Sequence, residues 1–288
     1  MTYLVWSILC SVSVSVLLKL VPRYNLDVRQ AIFVNYLVAG GATWWLLAPD
    51  VRILAHVEVQ TWLVLVLQGL LLPSMFWVLA GAVKYAGVVR TDAAMRLSLL
   101  LPLVASFAFF GERFTSPKAV GIALGFIAIG LLITRSETRE AQGPSRALWL
   151  LATTFVGMGC IDILFKLIAT MQPGSSTAVL FSVFSLAAVV SACALGWLYG
   201  RGHAQWHPRH MGTGLALGAL NFGNIYTYIQ AHRVMSESPS IVFAAMNIGV
   251  IVVATLVGVS VFKERMRAMH IAGLIFAIAA VTVLASST

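Results

Sequence analysis

Long apolar runs, each close to twenty residues, constrain this chain more than any other feature of its sequence. Ten of them occur, at residues 3–20, 30–48, 61–83, 93–110, 117–134, 148–170, 177–199, 212–231, 239–262 and 269–285. A helix rises about 1.5 Å per residue, so about 20 apolar residues cross a hydrocarbon core about 30 Å thick. The pattern therefore predicts an all-α integral membrane protein with ten transmembrane helices.

The composition supports the same class. Only 10% of the 288 residues are charged, whereas 60% are hydrophobic. A soluble domain carries about 25% charged residues, so a soluble globular protein, a secreted disulfide scaffold and a disordered chain are excluded. The formal net charge is +9, but the basic residues occupy short gaps between apolar runs, where they orient a membrane protein. We therefore expect a lipid bilayer around the chain and no nucleic-acid partner.

Other spanning and metal-binding architectures are disfavoured. Strand-like alternation of period two occurs only in the segment 11–16, whereas a membrane barrel needs it in every strand. Cysteines 10, 160 and 193 lie inside apolar runs, so neither a disulfide framework nor a CxxC metal site is available. Histidines 203, 207 and 210 fit no zinc-finger spacing. We expect no metal and no cofactor.

The chain repeats a short motif. Phe110-Gly111-Glu112-Arg113 precedes span five, and Phe262-Lys263-Glu264-Arg265 precedes span ten, 152 residues later. At the same offset Gly121 matches Gly273 and Ala128 matches Ala280, while the segment 17–20 matches 164–167 at an offset of 147. Five spans per half is an odd number, so the two copies enter the membrane in opposite directions. We predict two inverted five-helix repeats, at 1–135 and 148–288, joined by a loop at 136–147.

These features resemble the drug/metabolite transporter superfamily, and within it the EamA-like ten-helix exporters. The resemblance covers essentially the whole chain. Its motif is Gly111-Glu112-Arg113-Phe114 followed by Gly121-x3-Gly125, with Lys263-Glu264-Arg265 and Gly273 as a weaker second copy. The resemblance implies transport of small metabolites by alternating access around a central cavity, lined by spans one, three, four, six, eight and nine.

The resemblance and the charge distribution disagree about the termini. Members of the superfamily usually keep both termini in the cytoplasm. Of the 17 basic residues outside the spans, thirteen lie on the side away from the N-terminus and four on its own side. Cytoplasmic loops carry the excess of lysine and arginine, so the count places both termini outside. Both alternatives stay open at this point.

Two charges in span six are the clearest functional candidates, because an ionisable residue inside a membrane span is costly. Asp162 precedes Lys166 by four residues, which places both on one helical face. One interpretation is a structural ion pair whose lysine snorkels to the membrane surface. The other is that Asp162 contacts an amine substrate or carries a coupling proton, with Lys166 beside it.

A polar stripe follows span eight. Asn221, Asn224 and Tyr228 are spaced i, i+3, i+7, so they share one face, and Asn247 stands alone in span nine. Amides in hydrocarbon need partners on a neighbouring helix or on a ligand. We prefer a substrate-binding cavity wall over helix–helix hydrogen bonding.

The first half offers fewer polar candidates. Ser15 and Lys19 share a face of span one, although serine can bond to its own helix and Lys19 can snorkel. Arg96, early in span four, resembles a basic position of some relatives that would anchor a carboxylate, and snorkelling is its alternative. Trp77 in span three can stack on a flat ligand or face lipid.

Prolines and glycines indicate where helices bend and approach. Pro73 and Pro102 interrupt spans three and four, removing backbone hydrogen bonds and inviting kinks. The pairs Gly121-x3-Gly125 and Gly214-x3-Gly218 predict close helix packing.

The function that we predict is secondary active transport, with export, of small polar or zwitterionic metabolites such as amino-acid-like compounds or amines. A phosphate-binding GxxxxGK[ST] loop is absent from the sequence, so a proton or substrate gradient is the expected energy source. The alternative is a flippase or membrane enzyme acting on a lipid-linked substrate, but no nucleophile–base constellation supports catalysis. We expect a multi-pass protein of a bacterial inner membrane, monomeric or homodimeric. Substrate identity and coupling ion do not follow from the residues.

Overall fold

Every regular element of the computed structural model is helical over the residues it describes, which are 1–20, 28–133, 144–202, 209–261 and 268–286. The helices are α1 (Thr2–Leu20), α2 (Val28–Leu47), α3 (Val59–Ala86), α4 (Val88–Leu97), α5 (Leu100–Ala108), α6 (Ser116–Ile133), α7 (Pro144–Thr170), α8 (Pro173–Gly200), α9 (Arg209–Val234), α10 (Pro239–Ser260) and α11 (Ala268–Ala285). A 3-10 helix at Val51–His56 precedes α3. The all-α prediction is confirmed, and each predicted run overlaps one helix or, at 93–110, the pair α4 and α5.

Length and composition identify helices suited to a bilayer. Five helical segments of the described chain are long and apolar enough to cross a membrane: Val59–Ala86, Arg90–Ala108, Ser145–Thr170, Pro173–Gly200 and Pro239–Ser260. Shorter apolar helices lie at Thr2–Leu17, Ser116–Leu131 and Ile271–Leu284. These features are compatible with a multi-pass membrane protein. The count of ten spans stays a prediction.

The two prolines predicted to interrupt spans behave differently. α4 ends at Leu97 and α5 begins at Leu100, close to Pro102. Proline has no N–H to donate to the carbonyl four residues back, and here the Ser98 carbonyl accepts from Leu101 N at 3.0 Å in a tighter turn. Pro73, by contrast, lies inside α3, which continues without a break. The predicted interruption is therefore found in span four and not in span three.

The chain forms two compact units, and each draws on both halves of the sequence. We call residues 1–8, 75–163 and 231–288 the α10 unit, and residues 9–74 and 164–230 the α8 unit. In the α10 unit, α6 packs against α11, α5 against α10, and α10 also against α6 and α11. In the α8 unit, α2 packs against α8.

The core of the α10 unit depends on small residues. It contains the buried side chains Ala128, Ile241, Ala244, Ile248, Ala277, Ala280 and Leu284. A Cβ placed on Gly121 of α6 would lie 2.6 Å from Leu284 Cγ of α11, and one on Gly125 would lie 2.7 Å from Ile248 Cδ1 of α10. No side chain fits at either glycine without a shift, so the close packing predicted for this glycine pair is confirmed.

The second glycine pair brings α9 against α2 in the α8 unit. A Cβ on Gly214 would lie 2.5 Å from Val34 Cβ, and one on Gly218 would lie 2.6 Å from Val38 Cβ. Because these contacts involve Cβ atoms, they cannot be relieved by rotating a side chain. The predicted close approach is confirmed here too.

A matching crossing joins α3 to α8 in the same unit. A Cβ on Gly69 would lie 2.9 Å from Leu186 Cβ, compared with 2.6 Å between a Cβ on Gly218 and Val38 Cβ. Gly218 follows Gly69 by 149 residues, and Leu186 follows Val38 by 148. Each of the two crossings therefore places a glycine of one helix against a branched residue of another.

Candidate functional site

Lys166 is the most unusual charged residue of the α8 unit. It lies on α7, a helix long and apolar enough to cross a membrane, and only 2% of its surface is exposed. A snorkelling lysine keeps its ammonium group in water, so this burial disfavours the surface interpretation. An ionisable residue that is buried on an apolar, membrane-length helix is a functional candidate by default.

Lys166 directly follows an aromatic residue whose ring contacts a second helix. The neighbouring Phe165 of α7 meets Tyr228 of α9 edge to face, with ring centroids 6.2 Å apart and an interplanar angle of 84°. Both rings are buried, and Tyr228 is 5% exposed. This contact brings the predicted stripe residue Tyr228 to the stretch of α7 that carries Lys166.

The other two residues of the α9 stripe lie along the same helix. Asn221 and Asn224 are half-buried, two turns and one turn before Tyr228. On the same helix, Phe222 and Tyr226 stack with ring centroids 5.8 Å apart. The spacing of the stripe is as predicted, and its role in binding a substrate stays a prediction.

Asp162 lies one turn before Lys166 on α7 and is half-buried. It belongs to the α10 unit, where two nearby glycines let α7 come close to its neighbours. A Cβ on Gly157 would collide with the Met75 side chain of α3, and one on Gly159 would lie 3.0 Å from the Ser98 carbonyl oxygen at the α4–α5 break. Gly157 and Gly159 thus allow α7 to pack tightly just before the segment that carries Asp162 and Lys166.

The remaining candidates of the α10 unit have local partners or face outward. Arg96 Nε lies 3.5 Å from Asp92 Oδ1, one turn earlier on α4. The Asn247 side-chain amide donates to the Phe243 carbonyl of its own helix at 3.2 Å. Trp77 is 46% exposed on α3, which suits contact with lipid as well as with a ligand.

The candidates of span one are less informative. Ser15 is exposed, and its hydroxyl donates to the Ser11 carbonyl at 3.0 Å, which is the local hydrogen bond weighed as its simpler role. The side chain of Lys19 lies outside the described residues, as does the predicted second motif copy at 262–265.

A buried polar cluster in the α10 unit was not predicted from the sequence. Glu112, in the connection between α5 and α6, receives a hydrogen bond from Lys118 Nζ at 2.8 Å. Its carboxylate also accepts from Ser240 N at 2.8 Å and from Ser240 Oγ at 2.5 Å. Glu112 and Lys118 are 7% and 5% exposed. The sequence identified Glu112 only as a marker of the repeat.

The Glu112 cluster supplies a hydrogen-bond acceptor for the first turn of α10. The first N–H groups of a helix have no partner within it, and the side chain of Ser238, the N-cap of α10, makes no capping hydrogen bond to them. Pro239 occupies the first position, where a missing N–H is harmless. Glu112 then caps the N–H of Ser240 from a distant part of the chain. The Ser-Pro-Ser start of α10 was the available signal for this cap.

Two further buried amides were also missed. Asn35 of α2 and Gln68 of α3, in the α8 unit, are buried, and neither side-chain amide has a hydrogen-bond partner among the described residues. Both lie in predicted spans, at 30–48 and 61–83, in which the sequence singles out neither residue. Isolated amides in such runs carry no periodic pattern that would single them out.

The described residues contain no group of three or more histidine, cysteine, aspartate or glutamate side chains arranged to hold a metal ion. Histidines 203 and 207 lie outside the described residues, and so does the side chain of His210. In the Glu112 cluster the carboxylate pairs with Lys118 and accepts from Ser240, whereas Lys166 is a buried residue directly after Phe165 on α7.

These observations define the class of protein: it is helical, several of its helices are long and apolar enough to cross a membrane, and one of them carries the buried Lys166. No family model matches the chain. The chain belongs to the same family as an uncharacterised protein of Haemophilus influenzae, with 40% identity over 282 residues, which cover 96% of this chain and 95% of that protein. It also shares its fold with a protein crystal structure at a TM-score of 0.75 and 15% identity, covering 98% of this chain and 94% of that one.

Proposed function

We propose that this protein is a secondary active transporter of small polar or zwitterionic metabolites, working by alternating access. The observation that carries the proposal is the burial of Lys166 on α7, directly after Phe165, whose ring contacts Tyr228 of α9. An ionisable residue inside a membrane-length helix is a functional candidate by default. A lysine ammonium group can pair with a substrate carboxylate, and aromatic rings are suited to the apolar part of an amino-acid-like molecule.

The packing supports an inverted-repeat architecture. The pairs α2–α8, α5–α10 and α6–α11 join spans two and seven, four and nine, and five and ten, which are counterparts in the proposed repeats. The Gly69–Leu186 and Gly218–Val38 crossings are likewise counterparts. Repeats related by a two-fold axis in the membrane plane place equivalent helices against one another, as in many transporters.

Within this proposal each polar residue has a role. Lys166 binds a carboxylate, and Asp162, one turn away, binds an amine or carries the coupling proton. Asn221, Asn224 and Tyr228 on α9 offer hydrogen bonds to the polar groups of the substrate. The break between α4 and α5 and the glycine-lined crossings provide places where helices can rock. We further propose that the protein is an exporter of a bacterial inner membrane.

Ligand-dependent thermal stability tests this function. The purified chain in detergent is heated with amino acids, amines, nucleobases or sugars, because a ligand that binds only the folded state stabilises it by about 2.7 kcal/mol at a hundredfold excess over Kd. We expect one amino-acid-like or amine class to raise Tm and Lys166→Gln to lose that response. Arg52→Gln is the matched control, since Arg52 is exposed in the 3-10 helix, and it should respond like the wild type.

Transport by proteoliposomes completes the test. The stabilising compound, loaded inside as a labelled tracer, should leave wild-type vesicles faster than Lys166→Gln vesicles under an imposed pH gradient. If no small molecule stabilises the protein and lipid-linked sugars do, the metabolite transporter is refuted in favour of a flippase or membrane enzyme. Equal ligand responses in the wild type and Lys166→Gln would remove Lys166 from the site.

A further inference from the structure

Two cationic side chains of the α10 unit, Lys84 and Arg146, lie close to the ring of Tyr85. Tyr85 lies in the last turn of α3, with Lys84 beside it, and Arg146 lies in the first turn of α7. The Arg146 guanidinium carbon is 4.3 Å from the centroid of the Tyr85 ring, and Lys84 Nζ is 5.4 Å from it. The two cationic groups are therefore no more than 9.7 Å apart, the sum of these two distances.

Close packing of two helix ends creates this arrangement. A Cβ on Gly81 of α3 would lie 3.3 Å from Leu150 Cδ2 of α7, so the end of α3 meets the start of α7. Among the described residues, neither Lys84 nor Arg146 has a carboxylate within the 4.0 Å of an ion pair. Two like charges at this separation repel each other, and an anion placed near both would relieve that repulsion.

The surroundings of the cations are apolar and exposed. Leu148 and Trp149, the second and third residues after Arg146, are 68% and 76% exposed, and Val83 next to Lys84 is also exposed. Tryptophan and basic residues at helix ends are typical of the membrane–water interface. An anionic headgroup with hydrocarbon attached matches both parts of this surface.

We propose that Lys84 and Arg146, positioned by the Tyr85 ring, bind the phosphate of an anionic phospholipid such as phosphatidylglycerol. Arginine offers a planar fork of donors to phosphate oxygens, and lysine adds a compact charge. The acyl chains lie along the exposed apolar residues at the ends of α3 and α7. This site requires the chain to be embedded in a membrane, but it is independent of transport and of Lys166.

Lipid titration of the full chain tests the site. Phosphatidylglycerol or phosphatidylcholine is added to the purified protein in mixed micelles, and Tm is recorded against lipid mole fraction. Each basic residue near an anionic headgroup contributes about fivefold in affinity, so the double variant Lys84→Gln/Arg146→Gln should bind phosphatidylglycerol about 25-fold more weakly. The response to phosphatidylcholine should be equal in both proteins, which shows that the variant is folded.

Further variants distinguish positioning from net charge. Tyr85→Phe keeps an aromatic face and should keep the response, whereas Tyr85→Leu should lose much of it with both charges present. Arg113→Gln, an exposed arginine without these neighbours, should behave like the wild type. Inorganic phosphate and glycerol phosphate form a separate arm, and full competition by either at millimolar concentration would identify a free phosphate as the ligand instead.

Besides full competition by a free phosphate, three results would overturn the proposal. They are equal responses of the wild type to the two lipids, an unchanged phosphatidylglycerol response in the double variant, and an equal loss in Arg113→Gln. None of these results depends on whether a metabolite is transported, so a failure here leaves the proposed function untouched.

Discussion

Removing the Glu112 carboxylate should destabilise this protein more than most single substitutions. In Glu112→Ala, Lys118 loses the oxygen 2.8 Å from its ammonium nitrogen, although its side chain is only 7% exposed. The nearest remaining acceptor is Ser238 Oγ at 3.4 Å. Ser240 loses both the acceptor of its backbone N–H and that of its hydroxyl.

The magnitude follows from what is left behind. Breaking a buried ion pair by removing one partner costs about 3–5 kcal/mol, because the other charge stays buried. A buried donor without an acceptor costs about 1–3 kcal/mol, but the terms share one site and do not add. We expect a total of about 4 kcal/mol, or about 10 °C in Tm at about 2–4 °C per kcal/mol.

A double-mutant cycle in detergent measures this cost. Lys118→Met is introduced alone and together with Glu112→Ala, and Tm is recorded for all four proteins. The double variant should be more stable than Glu112→Ala, because no unpaired ammonium group is left in the interior. Glu58→Ala is the control, an exposed acid just before α3, and should change the stability by less than about 1 kcal/mol.

Two results would refute this reasoning. A Tm for Glu112→Ala within 2 °C of the wild type, taken as about the effect of 1 kcal/mol or less, would show that the cluster contributes little. A double variant as unstable as Glu112→Ala would show that the buried lysine is not the source of the cost.

Two more predictions concern the α8 unit. Gly218→Ala should lower Tm, because the new methyl group would lie 2.6 Å from Val38 Cβ, whereas Gly196→Ala, with open space around it, should hold or raise Tm. Equal shifts in the two thermal melts would contradict the close crossing. Tyr228→Leu should cost about 0.5–1.5 kcal/mol beyond lost burial, since it removes the ring pair with Phe165. Tyr228→Phe should keep the ring contact with Phe165 and weaken the ligand-induced rise in Tm, and unchanged ligand binding would exclude the hydroxyl from the site.

The sequence by itself determined the secondary structure class and the position of the charges along it. Apolar runs of about twenty residues predicted helices, and the described helices overlap all ten runs. The spacing of Gly214 and Gly218 predicted a close approach that the structure confirms. Each of these features is local, since apolar length, helical period and small side chains act within a few turns of one helix.

Only the tertiary structure decided which groups meet. Glu112 caps a helix whose Ser240 lies 128 residues further along the chain, and Lys166 is buried although its position near the end of an apolar run equally suits snorkelling. Pro102 lies next to a helix break whereas Pro73 does not. The physical reason is the same in each case. Burial, hydrogen-bond partners and helix breaks depend on which surface of a neighbouring helix packs against the residue. The hydrophobic periodicity of the sequence does not identify that surface.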